Sequence, residues 1–205
     1  MSLVVVDAGT GNIGSVVNMC RKIGSEPVVT SEPDVVEQSS KLLLPGVGAF
    51  DSAMENLRSS GVFEALRRQA AQGVTMLGIC LGMQLLFEGS EEGHATGLGL
   101  VPGTVRRLPA QTEIGNVAIP HMGWSALRAT RSHPLTAGLS EDARFYFVHS
   151  YAALPEREAD IIGVSVHGDD FVSAVAHENV LGVQFHPEKS HRHGKALLTN
   201  FIEMD

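Results

Sequence analysis

The sequence predicts a three-layer α/β fold, with a mostly parallel central sheet flanked by helices and an antiparallel extension. Two textures along the chain carry this expectation. Through the first ninety residues, short apolar runs alternate with stretches of helical periodicity. Continuous apolar strands joined through helices make a parallel sheet covered on both faces. After Gly93 the chain turns to short strand-like runs cut by Gly, Pro, Asp and Asn, which suits antiparallel strands. The 205 residues are read as a single domain, 1–205, and 43% apolar residues suffice for a full core.

The strands of the first part are "LVVVD" (3–7), "PVVT" (27–30), "KLLL" (41–44) and "VTMLGI" (74–79). Between the first two, Ile13, Val16, Val17, Cys20 and Ile23 fall on one helical face, which makes Cys20 a small buried hydrophobe. "AFDSAMENLRSSGVFEALRRQAAQG" supplies one or two further helices and "LGMQLLFEGS" a short one. In the second part, "GLGLVPGTVRRL", "NVAIP", "WSALRA", "RFYFVHSYAAL", "DIIGVSVHG", "FVSAVAHE" and "VLGVQFHP" read as strands. "GKALLTNFIEM" closes the chain as a helix.

Charge and composition exclude several functions. Fifteen basic against 23 acidic residues give a net charge of −8, with no basic block longer than a pair, so nucleic acid is not expected as the main partner, although a local basic patch stays open. The N-terminus lacks the pattern of a signal peptide, and no uninterrupted apolar stretch reaches membrane-spanning length. Two cysteines make no disulfide framework, and free thiols fit a reducing compartment, so a cytoplasmic protein is expected.

The opening "VVVDAGTGNIGSV" (4–16) contains a literal G-x-G-x-x-G between a strand and a helix, and Glu32 follows at about the right distance for a dinucleotide-binding fingerprint. Asp7 argues against that reading. A carboxylate at the strand end repels a pyrophosphate where the helix N-terminus should attract it. Glycines at a strand-to-helix turn are often backbone geometry alone.

A sharper signal is "VTMLGICLGMQLLFEGS" (74–90), in which a strand runs through Gly78-Ile79-Cys80-Leu81-Gly82 straight into a helix. This is a nucleophile elbow, with cysteine where hydrolases often carry serine. The tight turn strains the nucleophile's backbone and demands glycine neighbours. The helix N-terminus favours a thiolate at Cys80, and the Leu81 amide points where an oxyanion forms. Gln84, one turn further on the same face, can reach a substrate held at the sulfur.

A cysteine nucleophile needs a base, and the base an orienting acid. "VLGVQFHPEKS" (180–190) offers His186 and Glu188, two apart, which in an extended backbone leave on the same side. Together they complete a Cys-His-Glu triad. A third strand-to-helix turn, "LLLPGVGAFDSAM" (42–54), can present bare backbone amides at Pro45-Gly46-Val47-Gly48. "HPEKSHRH" places His186, His191 and His193 close in sequence, but Arg192 among them and the frequency of solvated loop histidines weigh against a metal site. Trp124 reads equally as core or, beside Met122 in "PHMGW", as an interface anchor.

With these motifs in place the chain resembles a known family. "GICLGMQLLFEGSEE", "FHPEKS" and "LLLPGVGAF" are similar to the class I (triad) glutamine amidotransferases. "GTGNIGSV", "PGVGAF", "PHMGW" and "FYFVHSY" resemble, within them, the glutaminase subunits of imidazole glycerol phosphate synthases, in histidine biosynthesis. The likeness spans essentially the whole chain, with one departure at Ala8, where the family often has tyrosine. It implies the class I glutaminase, flavodoxin-like fold and hydrolysis of glutamine to glutamate and ammonia without metal or organic cofactor. It also implies an oxyanion hole from the amides of Val47 and Leu81, and substrate contacts from Gly48, Gln84, His149, Ser150 and Tyr151. The implied partner is a cyclase subunit, forming a heterodimer that channels ammonia under allosteric control. Asn12 and Lys189, with Met122 and Trp124, would face it. A glutaminase subunit of another amidotransferase, or a cysteine peptidase or other hydrolase on a related scaffold, shares the elbow and the histidine.

Overall fold

The computed structural model describes residues 2–9, 11–113 and 115–204, so Thr10 of the glycine turn lies outside the described residues. Strand β1 (Leu3–Val6) leads to α1 (Ile13–Ile23), β2 (Val28–Thr30), α2 (Pro33–Glu37) and β3 (Lys41–Gly46). Helices α3 (Phe50–Ser59) and α4 (Val62–Ala71) then precede β4 (Thr75–Cys80) and α5 (Leu81–Leu85). The second part runs through β5 (Gly103–Arg107), β6 (Gln111–Thr112), β7 (Gly115–Asn116), β8 (His121–Ala126) and β9 (Arg128–Ala129). It continues with β10 (Arg144–His149), β11 (Tyr151–Pro155), β12 (Ile161–His167), β13 (Asp169–His177), β14 (Val180–Val183) and α6 (His191–Glu203).

Strands β2, β1, β3, β4 and β14 lie side by side and parallel. Antiparallel β13, β11 and β5 extend the same sheet, with β12 and β9 attached beside β13. Alternate residues of each parallel strand enter opposite cores, as pleating requires. Leu3, Val5, Leu43, Leu77 and Ile79 meet α1 and α6 on one face. Val4, Val6, Leu42, Leu44 and Met76 meet α2, α3, α4 and α5 on the other. The expected three-layer fold is present.

Several local expectations are corrected. Helix α2 was not expected, although Pro33 at its first position and Asp34 in its first turn are start signals. "NVAIP" contributes only Asn116 to a two-residue strand. "RFYFVHSYAAL" is two strands, because the chain changes sheets at Ser150. Before it, β10 pairs with β8 in a separate ladder; after it, β11 pairs with β5 and β13 in the main sheet. "WSALRA" divides at Leu127 in the same way, between β8 and β9. The last helix starts at His191, three residues before the expected glycine, so His191 and His193 lie on a helix rather than a loop.

One buried cation joins the sheet to the end of the chain. Lys41, 5% exposed at the start of β3, donates from Nζ to the carbonyls of Phe201 (3.1 Å) and Ile202 (2.6 Å), and to that of Met204. These are the carbonyls that the last turn of α6 leaves without helical partners, at the negative end of its dipole. Replacing Lys41 with Met strands those acceptors. The variant is expected to lose about 1–3 kcal/mol of stability, read as a lower urea midpoint at unchanged slope.

Candidate active site

The parallel strands deliver their carboxyl ends to one edge, and the elbow stands there. Strand β4 ends at Cys80 and α5 begins with Leu81. Cys80 holds φ 55° and ψ −111°, a conformation that costs a non-glycine residue on the order of 1–3 kcal/mol. Its surroundings enforce it. A Cβ on Gly82 would stand 1.7 Å from the Leu44 carbonyl oxygen, so only glycine lets the first turn of α5 seat against β3. The Cys80 sulfur is nearly buried, 4.0 Å from the Val148 carbonyl and 3.8 Å from Gln184 Nε2. Cys20, in contrast, is sealed on the buried face of α1, where burial pushes its thiol up to about 11. Only one of the two thiols sits in a reactive setting.

The imidazole arrives from β14. His186 is fully buried, and its Nδ1 lies 2.8 Å from Glu188 Oε1. The extended geometry expected for this pair holds at His186 but not at Glu188. Pro187–Lys189 is a short 3-10 turn, which Pro187 initiates with its fixed φ, and the turn curls the carboxylate back onto the ring. Burial alone would lower the His186 pKa. The Cys80 sulfur and the Glu188 carboxylate outweigh it and raise the imidazole to about 9. Among the described residues, His186 Nε2, on the opposite side of the ring from Glu188, has no nitrogen or oxygen hydrogen-bond partner.

Asn12, expected at a partner face, points its amide at Glu188 Oε1. The glycine turn is thereby accounted for. Asp7 Oδ1 accepts the Gly9 amide (2.8 Å) and Asn56 Nδ2 donates to the Ala8 carbonyl (3.0 Å), so the turn is tied internally and to α3 while presenting Asn12 to the carboxylate. An amide that a phosphate cradle would need is taken by Asp7.

A cavity of about 300 Å³ opens onto the sulfur. Val47, Gly48, Cys80, Leu81, Gln84, His149, Ser150 and Tyr151 all line it, so the expected oxyanion and substrate positions share one space. Gly48 adopts φ 110°, open to glycine alone, and turns the segment after β3 across the cavity. Gln84 is buried and donates from Nε2 to the Tyr151 carbonyl (3.0 Å) and to Gln184 Oε1 (3.0 Å). His149 donates to the same Tyr151 carbonyl (2.8 Å), and burial holds its pKa down at about 3.

Two residues without an assigned role from the sequence belong here. Gln184 links Gln84 to the sulfur, and its place in "VQFHPE", just past β14 and two before His186, was the available signal. Glu92 also lines the cavity; its Oε2 accepts the Phe50 amide at the start of α3 (3.1 Å), and burial raises its pKa. No motif of its own marks it.

On the neighbouring surface, Met122 is 63% and Trp124 43% exposed. Trp124 is therefore not core. Its ring stacks with His191 at 5.4 Å and meets Tyr146 edge-on at 5.9 Å, while exposed Lys189 holds its ammonium 5.8 Å from the Tyr146 ring. Met122, Trp124, Tyr146 and Lys189 thus form one patch beside the triad. Among the described residues, no three His, Cys, Asp or Glu side chains are grouped as a metal site would require. No helix there is long and apolar enough to cross a membrane.

Comparison with known proteins agrees with this geometry. Residues 4–204 match the family model described as glutamine amidotransferase class-I. The chain is 48% identical to the imidazole glycerol phosphate synthase subunit HisH of Sulfurimonas denitrificans, over 98% of this chain and 97% of that one. It is 42% identical to the imidazole glycerol phosphate synthase subunit HisH 2 of Methanococcus maripaludis, over 98% of each. A crystal structure of a glutamine amidotransferase superposes with a TM-score of 0.71 at 21% identity, covering 98% of this chain and 97% of that one, a likeness of fold. The chain belongs to the class I glutamine amidotransferases, in the family of imidazole glycerol phosphate synthase HisH subunits.

Proposed function

We propose that this protein is the glutaminase subunit of an imidazole glycerol phosphate synthase. It hydrolyses glutamine to glutamate and ammonia, and a cyclase subunit uses the ammonia to form imidazole glycerol phosphate and an aminoimidazole carboxamide ribotide in histidine biosynthesis. The observation that carries this reading is the strained Cys80 facing a cavity beside a buried His186–Glu188 pair.

In the reaction, the Cys80 sulfur attacks the side-chain amide carbon of glutamine while its proton resides on His186. The carbonyl electrons move to oxygen, which the Val47 and Leu81 amides stabilise. Collapse of this intermediate breaks the C–N bond, and His186 gives its proton to the departing nitrogen. The neutral imidazole next takes a proton from water, whose oxygen attacks the thioester and frees the sulfur as glutamate leaves. Glu188 accepts from Nδ1 throughout, and Asn12 keeps that carboxylate in place. Gly48, Gln84, His149, Ser150 and Tyr151 hold the substrate. Glu92, the one acidic residue among those lining the cavity, suits its α-ammonium. The patch of Met122, Trp124 and Lys189 is the proposed seat of the cyclase subunit, where bulky aromatic and apolar side chains anchor partners.

Mass spectrometry after treatment with a glutamine-mimicking alkylator should place the adduct on Cys80, and Cys80→Ala should lose glutaminase activity at least about 10³-fold. An adduct on Cys20 would reject the assignment. The raised His186 pKa sets a second expectation. Its folded value of about 9 exceeds the ordinary 6.5, so its stabilisation is complete below 6.5 and lost as pH rises through 9. The stability advantage of the wild type over His186→Gln should shrink by up to about 3 kcal/mol between pH 6 and pH 10. A flat difference in urea titrations would contradict the shift. A third expectation concerns gating, since ammonia released without an acceptor is lost. If the Val47 amide faces away at rest, a missing oxyanion donor costs about 10²–10³ in rate. Glutamine hydrolysis should therefore rise by that order when cyclase and its nucleotide ligand are both present. Equal rates for the lone subunit, the complex and the liganded complex would refute gating.

A further inference from the structure

Two buried imidazoles, His121 and His149, face each other across the β8–β10 ladder. Their hydrogen bonds admit one assignment of protons. The Tyr151 carbonyl can only accept, so His149 Nδ1, 2.8 Å away, carries a hydrogen. A neutral imidazole has a single N–H, which leaves His149 Nε2 bare and accepting. Its partner is His121 Nδ1 at 3.1 Å, and that nitrogen must donate. His121 Nε2 is then bare in turn and takes the Ser125 hydroxyl hydrogen at 3.1 Å, in preference to the Val166 carbonyl, which lies 3.4 Å from the same oxygen. Burial keeps both rings neutral, lowering His121 to about 4 and His149 to about 3. Packing fixes the planes. His121 stacks with Phe147 at 4.9 Å and with His167 at 4.2 Å, and Phe171 meets it edge-on.

The consequence lies at the cavity wall. Ser150 belongs to neither of the strands it joins, and the Tyr151 carbonyl just beyond it receives both His149 Nδ1 and Gln84 Nε2. Were His149 to adopt its other tautomer, the bare Nδ1 would oppose that carbonyl's lone pairs. The carbonyl would turn, and the Gln84 amide would lose one of its two acceptors, keeping only Gln184. We propose that His121, which lies outside the cavity lining, is a positioning residue for glutamine: it fixes the His149 tautomer that holds the Tyr151 carbonyl and Gln84 in the cavity wall. The role rests on the glutaminase reading given above.

The test combines kinetics of the complex with the cognate cyclase subunit and long-range ¹H–¹⁵N spectra of the histidine-labelled chain. Wild-type His149 should show a protonated Nδ1 and a bare Nε2. His121→Phe, which keeps the stacking but removes the donor, should raise the KM for glutamine about tenfold with kcat within about threefold, as expected for one buried hydrogen bond. His149 should then sample both tautomers. His121→Asn, whose amide stands near the place of Nδ1, should recover most of the affinity and the single tautomer. Should His121→Phe fail to fold, Ser125→Ala, at a half-exposed site, loosens the same chain from its other end and should raise KM about threefold. An unchanged KM with kcat falling only in step with the folded fraction would overturn the proposal, as would a wild-type His149 protonated at Nε2. A wild-type complex that hydrolyses no glutamine would instead defeat the glutaminase reading on which it rests.

Discussion

The site depends on a backbone conformation that Cys80 would not choose. A cysteine at φ 55° and ψ −111° persists only where its neighbours leave no alternative. Here β4 is clamped between β3 and β14, and the start of α5 is pressed onto the Leu44 carbonyl through Gly82. The parallel sheet then brings the other parts to the same edge. The glycine turn with Asn12 follows β1, the Val47–Gly48 segment follows β3, and His186 follows β14. Four strand ends assemble a constellation that no single segment contains, as open α/β sheets do along the carboxyl ends of their strands.

The antiparallel part contributes by departing from the sheet. At Ser150 the chain passes from the β8–β10 ladder into the main sheet, and the cavity wall lies at that crossing. A residue between two ladders is free of both pleats, so its neighbours' carbonyls and amides can face a substrate. The cost is that hydrogen bonds from side chains must do what strand pairing does elsewhere. Gln84 and His149 supply them at the Tyr151 carbonyl.

Much of this was legible from local patterns. The helical face through Cys20 followed from apolar spacing, and the elbow from glycines around a cysteine between a strand and a helix. What could not be read depended on contacts distant in sequence. The unbroken strand-like run in 144–154 conceals the change of sheet, because only the two strands' partners differ. Glu188 meets His186 through a proline-initiated turn, where an extended chain was expected. Glu92 and Gln184 look like ordinary surface and strand residues until the fold sets them against the cavity and the sulfur. The G-x-G-x-x-G is the converse case, a familiar string whose amide is already occupied by Asp7.

Strand β8 shows how such a chain is free to diverge. His121 turns inward to His149, while Met122 and Trp124 stand on the exposed side. The period of a strand is two residues, so inserting or deleting one residue at its start would exchange the two faces. An imidazole would be left in solvent, and a thioether would take its place against the neighbouring imidazole. Descendants of this sequence can therefore alter the outer face by replacing side chains one at a time, but not by changing the strand's length. The two faces evolve independently in chemistry and are locked together in register.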